Sequence, residues 1–182
     1  MITVVTPADP LSLVSLSEAK AWLKVDYDTD DAIITMLIKS AYHQAEKFTN
    51  SSFLEKTLKV SFDTCYYKSP FRLPYGPVKS VSSANFITGN GTESITDFLF
   101  LDDMFRPNFP YYTTDTYRHT LEVTYVAGSS TVDESIKEAI LKTVFSRYET
   151  RGNEVVGTEG IKVSVSGLTT TSKDILRPYI RY

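Results

Sequence analysis

The chain has one cysteine, Cys65, so no disulfide can form within it, and a reducing compartment is the expectation. Histidine is nearly as scarce. His43 and His119 are the two, and neither has a second His or a Cys at ligand spacing, which excludes the usual zinc motifs. No apolar run approaches the length of a membrane-spanning helix, and no basic-then-apolar leader opens the sequence, so a protein outside the membrane and not secreted is expected. The net charge of −3 lacks the basic excess of an electrostatic nucleic-acid binder. The charge is slightly uneven, acidic near the start and more basic towards the end, which allows two different partners without selecting them.

Motifs that carry chemistry are missing too. There is no G-x-S-x-G elbow, and Gly89-Asn90-Gly91 and Gly157-Thr158-Glu159-Gly160 lack the Lys-Ser/Thr of a phosphate loop. Cys65 has no local partner for nucleophilic catalysis and reads as a passive thiol. Asp26, Asp28, Asp30 and Asp31 lack the glycine and distal glutamate of a calcium loop, so they read as helix caps and a solvated turn. Asp102 and Asp103 occupy adjacent strand-like positions that point to opposite faces, and are expected in a turn or on the surface. Asn50-Ser51-Ser52 and Asn90-Gly91-Thr92 fit the glycosylation pattern but read as turns. Together these absences predict no catalytic residues, no cofactor and no metal site.

What is present is an ordinary globular composition, 42% hydrophobic and 23% charged over 182 residues, enough for one large domain or a domain with an insertion. Aromatics reach 13% and tyrosine outnumbers phenylalanine, which suits either surfaces shared with other subunits or simply Tyr-rich strands. Ser15 and Glu18 form an S-x-x-E capping box, predicting a helix from Leu16 to about Lys24. Asp28 is expected to cap a second helix whose stripe is Ile33, Ile34, Leu37, Ile38, Ala41, Tyr42, Ala45 and Phe48, ending at Thr49-Asn50-Ser51-Ser52. A third helix is expected from Asp133 to about Thr150, with Gly152 as its stop. Ile136, Ala139, Ile140, Val144 and Tyr148 form its stripe, and Leu141 and Phe145 widen it, so it is either central among the helices or shared with a neighbouring subunit.

Between these helices the period falls to two. Leu58, Val60 and Phe62 alternate with polar residues, as do Leu121, Val123 and Tyr125, and strands are also expected at 78–88 and 95–101 about a Gly89-Asn90-Gly91 turn. Pro70, Pro74 and Pro77 confine their segment to loop or edge strand, and 105–112 is expected to be irregular. Residues 153–168 read either as a hairpin, 154–156 with 161–165, or as a loop that orders on assembly. Thr169, Thr170, Thr171 and Ser172 read as a polar linker to a final segment, Leu176-Arg177-Pro178-Tyr179-Ile180-Arg181-Tyr182. Pro178 stiffens this segment, and Tyr and Arg are frequent interface anchors. It is either a docking element, mobile until assembly, or a tail folded back on its own helices.

The order of these pieces resembles the head–tail connector (adaptor, head-completion) proteins of long-tailed bacteriophages, in the longer branch with a β insertion. The residues that carry the resemblance begin with Ser15, Leu16, Glu18, Ala19, Lys20 and Leu23, then Asp30, Asp31, Ile34, Leu37, Ile38, Ala41, Glu46 and Thr49. They resume at Pro77, Val78 and Val81, then Val123, Thr124, Tyr125, Ala127 and Gly128. They close with Ile136, Ala139, Ile140, Tyr148, Arg151 and the terminal Leu176, Arg177, Pro178, Tyr179 and Arg181.

The expected fold is α+β, a helical bundle interrupted by an inserted small antiparallel β domain. Its parts are an N-terminal helical part at 1–56, the β domain at 57–127, and a C-terminal helix, hairpin or loop and docking tail at 128–182. The resemblance implies a structural, non-enzymatic neck protein that assembles in the host cytoplasm and resides in the virion neck. It implies self-association into a ring, a dodecamer in the family, bound to the portal protein and offering a surface to tail or stopper proteins. Such a ring extends the channel and lets double-stranded DNA pass without specific binding. The expected portal or subunit contacts are Leu176, Arg177, Pro178, Tyr179, Arg181 and Tyr182. The readings left beside it are a DNA-binding packaging factor, another neck or tail-completion protein, and a hydrolase or carbohydrate-acting β module.

Overall fold

The computed structural model describes residues 1–64, 70–88, 91–108, 119–150, 154–156, 162–164 and 167–181. The chain is α+β, with its β region inserted between N- and C-terminal helices, and it divides into two compact units. Met1–Ala8 and Ser52–Ser130 form the β unit; Asp9–Ser51 and Thr131–Tyr182 form the helical unit.

The helical unit begins with α1 (Leu16–Leu23), whose capping box is complete. Glu18 N–H donates to Ser15 Oγ at 3.2 Å, and Ser15 N–H donates to the Glu18 carboxylate at 2.8 Å. Two orphan amides of the helix start are thereby satisfied. Lys24 then ends α1 in the left-handed conformation, φ 57°. The next helix, α2 (Asp31–Thr49), starts after Asp30 rather than after Asp28, and the Asp30 side chain makes no capping hydrogen bond but accepts from the Tyr148 hydroxyl. Asp28 is drawn away by Lys20 of α1, whose ammonium bridges Asp28 at 2.7 Å and Asp31 at 2.8 Å. An ammonium competes better than a backbone amide for a carboxylate, so Asp28 does not serve as the expected cap. These hydrogen bonds raise the Lys20 pKa and lower that of Asp28.

The buried face of α2 is Ile34, Ile38, Ala41, Tyr42 and Ala45, joined by Glu46 and Thr49. Ile33 is exposed and Leu37 and Phe48 are only half-buried, so the apolar stripe is narrower than its sequence pattern. Glu46 is a buried carboxylate that accepts a hydrogen bond from the Tyr42 hydroxyl at 2.9 Å. Opposite α2 lies α3 (Glu134–Glu149), capped by Asp133, which accepts from Ser135 N–H at 2.9 Å. Ile136, Ala139, Ile140 and Val144 are buried, and Arg147 donates to Ser40 Oγ and Gln44 Oε1 of α2. The expected stop at Gly152 lies outside the described residues. Because Ile140 is fully buried and Leu37 is not, Ile140→Ala is expected to cost about 2–5 kcal/mol and Leu37→Ala distinctly less. Denaturant midpoints of the two variants check this order.

In the β unit a five-stranded antiparallel sheet has the order β1-β2-β8-β4-β5. These strands are β1 (Ile2–Thr6), β2 (Lys56–Thr64), β4 (Val78–Thr88), β5 (Gly91–Ser94) and β8 (His119–Ala127). The register pairs Leu58 with Tyr125, Val60 with Val123 and Phe62 with Leu121, so the alternating residues meet on one face. Sequence reading assigned no strand to the first residues. Ile2-Thr3-Val4-Val5-Thr6 is β-branched throughout but does not alternate regularly between apolar and polar, so it carries no clear period, yet β1 pairs with β2. A second sheet, in the order β3-β7-β6, is formed by β3 (Phe71–Arg72), β6 (Phe98–Leu101) and β7 (Met104–Pro107). The segment expected as a single strand at 95–101 is thus shorter, and part of the region expected to be irregular is β7.

Asp102 and Asp103 do form a turn, between β6 and β7, with φ 49° and 65°. Asp103 is buried, contrary to the surface expectation, because its carboxylate accepts the Val78 N–H at 2.7 Å. Beside it the Tyr125 hydroxyl donates to the Pro74 carbonyl at 2.7 Å, and burial together with the Asp103 charge pushes the phenol pKa well above its usual value. Gly128 follows β8 with φ +107°, and its N–H donates to the Pro77 carbonyl at 2.8 Å. A Cβ at Gly128 would lie 2.1 Å from the Leu54 carbonyl oxygen.

Candidate functional site

The expected contact segment can be followed residue by residue through the helical unit. A short antiparallel pair, β9 (Glu154–Val156) with β10 (Lys162–Ser164), precedes it; the turn between them lies outside the described residues. The expected polar linker is instead the cap and first turn of α4 (Thr170–Leu176). Thr169 Oγ1 accepts the Ser172 N–H at 3.1 Å, which uses threonine as an N-cap rather than as a flexible spacer. Ser172 is fully buried and donates to the Ala139 carbonyl of α3 at 2.8 Å, with Thr143 Oγ1 3.0 Å away.

Leu176 is completely buried within the unit. After it, Arg177–Tyr179 make a 3-10 turn for which Pro178 presets the backbone. Arg177 and Pro178 are exposed, while Tyr179, Ile180 and Arg181 are half-buried; Tyr182 lies outside the described residues. The segment then runs back along the C-terminal end of α2. Arg181 N–H donates to the Thr49 carbonyl at 2.9 Å, and Asn50 Nδ2 donates to the Arg181 carbonyl at 3.2 Å. Ser51 Oγ lies 3.2 Å from the Tyr179 carbonyl, within donating reach. The Thr49 carbonyl, at the end of α2, has no partner inside its own helix, so Arg181 helps complete the helix end. The fold-back alternative read from the sequence describes this geometry.

Electrostatics fix the corner from the other side. The Tyr179 hydroxyl and Asp133 share a hydrogen bond, which with the Ser135 amide lowers the Asp133 pKa and raises that of Tyr179. A carboxyl whose pKa is depressed on folding stabilises above its unfolded value, and loses that contribution as pH falls through the depressed one. Asp133→Asn is therefore expected to lower the urea midpoint at pH 7, and the gap should close as pH drops below the ordinary carboxylate range. Urea titrations of both proteins at pH 7 and pH 3 measure it.

Along the opposite side of α3 runs an open groove of about 490 Å³ shared with α1. Trp22 and Leu141 give it apolar walls, and Glu18, Glu134, Lys137 and Glu138 give it a charged rim. Trp22 is 45% exposed, and no motif in the sequence singles it out. The signal available was position: in α1 the buried residues are Ala19 and Leu23, and the chain's one tryptophan sits between them on another face. Among the described residues no group of three His, Cys, Asp or Glu could hold a metal ion, and no helix is long and apolar enough to cross a membrane. His43 is exposed on α2, 4.0 Å from a Glu46 oxygen; Cys65 lies outside the described residues.

Residues 12–181 match the profile of the head completion protein family, and the chain belongs to that family of structural, non-enzymatic proteins. Three solved structures share its fold. A protein in the neck of an empty gene transfer agent particle, computed with C6 symmetry, aligns with a TM-score of 0.77 at 16% identity, over 100% of this chain and 96% of that one. A protein in the virion of a native gene transfer agent particle gives 0.74 at 15% identity, with the same coverage of 100% and 96%. One in the native neck, computed with C12 symmetry, gives 0.70 at 14% identity, again over 100% and 96%. No curated protein matches the chain.

Proposed function

We propose that the chain is a neck adaptor, a subunit of a ring that sits between portal and tail and lengthens the channel through which packaged DNA passes. The observation that carries this reading is end-to-end similarity to gene transfer agent neck proteins, together with membership in the head completion family. The C6 and C12 symmetries belong to those particles; a twelvefold ring is the corresponding proposal for this chain. A ring suits the task physically. Each weak subunit contact with the portal is repeated around the axis, so a closed ring holds where one subunit would not.

In this reading the helices act as one bundle with the β domain inserted into it, and Arg177, Pro178, Tyr179, Arg181 and Tyr182 make portal or subunit contacts. Leu176 anchors that segment from inside. Tail or stopper proteins dock on the far side of the ring, assembly takes place in the host cytoplasm, and the finished subunit resides in the virion neck. The acidic balance suits a channel wall, because strong phosphate contacts would hold DNA rather than let it slide.

The deciding experiment is co-sedimentation of the purified chain with the cognate portal, followed by particle imaging. Rings on portals are expected, with little duplex binding by the free chain at physiological salt. Tight duplex binding with a steep salt slope, and no portal attachment, would replace this reading with a DNA-binding packaging factor.

A further inference from the structure

The α1–α3 groove has no occupant in the fold, and its composition is that of a contact. Trp22 is 45% exposed, and Phe145, one helical turn beyond Leu141 on the same side of α3, is 44% exposed. Large aromatics in a concave site are the residues that most often dominate interface energy. This explains the width of the α3 stripe: Leu141 and Phe145 extend it past what the unit's own core uses.

The rim carries Glu18, Glu134 and Glu138 against one ammonium group, Lys137 at 3.3 Å from Glu134; Lys142, which does not line the groove, pairs with Glu138 at 2.7 Å. The exposed corner after α4 has the opposite balance. Of its exposed charged residues, Lys173 and Arg177 are basic and Asp174 is acidic. The Arg177–Asp174 contact is long, 3.5 Å, and both side chains are mostly in solvent, so it holds Arg177 weakly. Pro178 beside it is exposed, rigid and apolar, a shape that an aromatic-walled groove receives at little entropic cost.

The two surfaces are made of different residues. Glu134, Glu138 and Leu141 line the groove, whereas the corner is Arg177 and Pro178, held near the start of α3 by the bond between Tyr179 and Asp133. Two different, complementary patches on one chain are what a head-to-tail contact requires, and head-to-tail contacts close rings. We propose that the groove receives the Arg177–Pro178 corner of a second copy of this chain. The inference rests on the ring reading and names the contact that would build it.

Sedimentation equilibrium of the full chain up to about 1 mM tests it, with variants Trp22→Ala, Glu138→Arg and Arg177→Glu, all at exposed positions. Each variant is expected to weaken self-association at least about tenfold with thermal melting unchanged. Combining Glu138→Arg with Arg177→Glu in one chain should restore association. Mixing Trp22→Ala with Arg177→Glu should give pairs and nothing larger, because one intact groove meets one intact corner. Wild-type chains that associate equally well with all three substitutions would overturn the contact while leaving the ring intact. A wild-type chain that stays monomeric throughout would also overturn it, and the portal co-sedimentation would then judge the ring separately.

Discussion

Leu176→Ala is expected to destabilise the chain by about 2–5 kcal/mol, a large loss for a residue six positions from the end. The side chain is completely buried in the helical unit, and removing it leaves a cavity among groups that Ser172, Thr143 and the Ala139 carbonyl hold in place. At roughly 2–4 °C per kcal/mol for a chain of this size, the shift should be plain in a thermal melt. Ending the chain after Ser172 should cost more, because Arg181 no longer bonds Thr49 and Tyr179 no longer bonds Asp133. A truncated chain that melts like the full one would show that the segment detaches in solution. The mobile-tail expectation from the sequence would then be right. Any docking role for this segment must therefore be tested with substitutions at Arg177 and Pro178, whose loss leaves the core intact, rather than by truncation.

A comparably large effect is expected in the β unit from Gly128→Ala. The backbone there has φ +107°, where a side chain alone costs about 1–3 kcal/mol. In addition the new Cβ would stand 2.1 Å from the Leu54 carbonyl oxygen and 2.4 Å from its carbon, both main-chain atoms that cannot swing aside. Leu54 is itself bridged to Ser129, so relief means breaking that join. A total loss of about 3 kcal/mol or more is expected, read as a lower melting temperature and poorer soluble yield. Gly91→Ala is the matched control. It has φ +144° but no described atom within 4 Å of its Cβ position, so it should lose only the strain. Equal effects at the two glycines would refute the steric account.

Local signals were legible in the sequence. The Ser15–Glu18 box, the Asp133 cap and the alternation at Leu58–Phe62 and Leu121–Tyr125 each depend on neighbours a few residues away, and the structure has all of them. What was not legible depends on partners far along the chain. Asp28, expected as a cap, instead pairs with Lys20, eight residues earlier on α1. Polar residues 169–172 look like a spacer until Ala139 and Thr143 are seen to receive Ser172. β1 has no internal period, and only β2, more than fifty residues later, makes it a strand. At the candidate site, the residue types of the tail were readable, but their division into a buried Leu176, an exposed corner and a backbone clasp on α2 was not. Of the groove around Trp22, only the widening of the α3 stripe by Leu141 and Phe145 was readable, since the groove needs α1 and α3 side by side.

The discontinuity of the helical unit bears on how the protein is made. Asp9–Ser51 leave the ribosome first, but the rest of their unit begins only at Thr131. At synthesis rates of about 5–20 residues per second, the intervening stretch takes roughly 4–16 s to emerge. During that interval the Ile34–Ile38–Tyr42 face of α2 has no α3 to cover it, and β1 waits likewise for β2. The strands from Ser52 onward, by contrast, find most of their partners within their own stretch. The nascent chain therefore completes its middle before its beginning, and its early helices are the part most exposed to chaperones and to premature association with other copies.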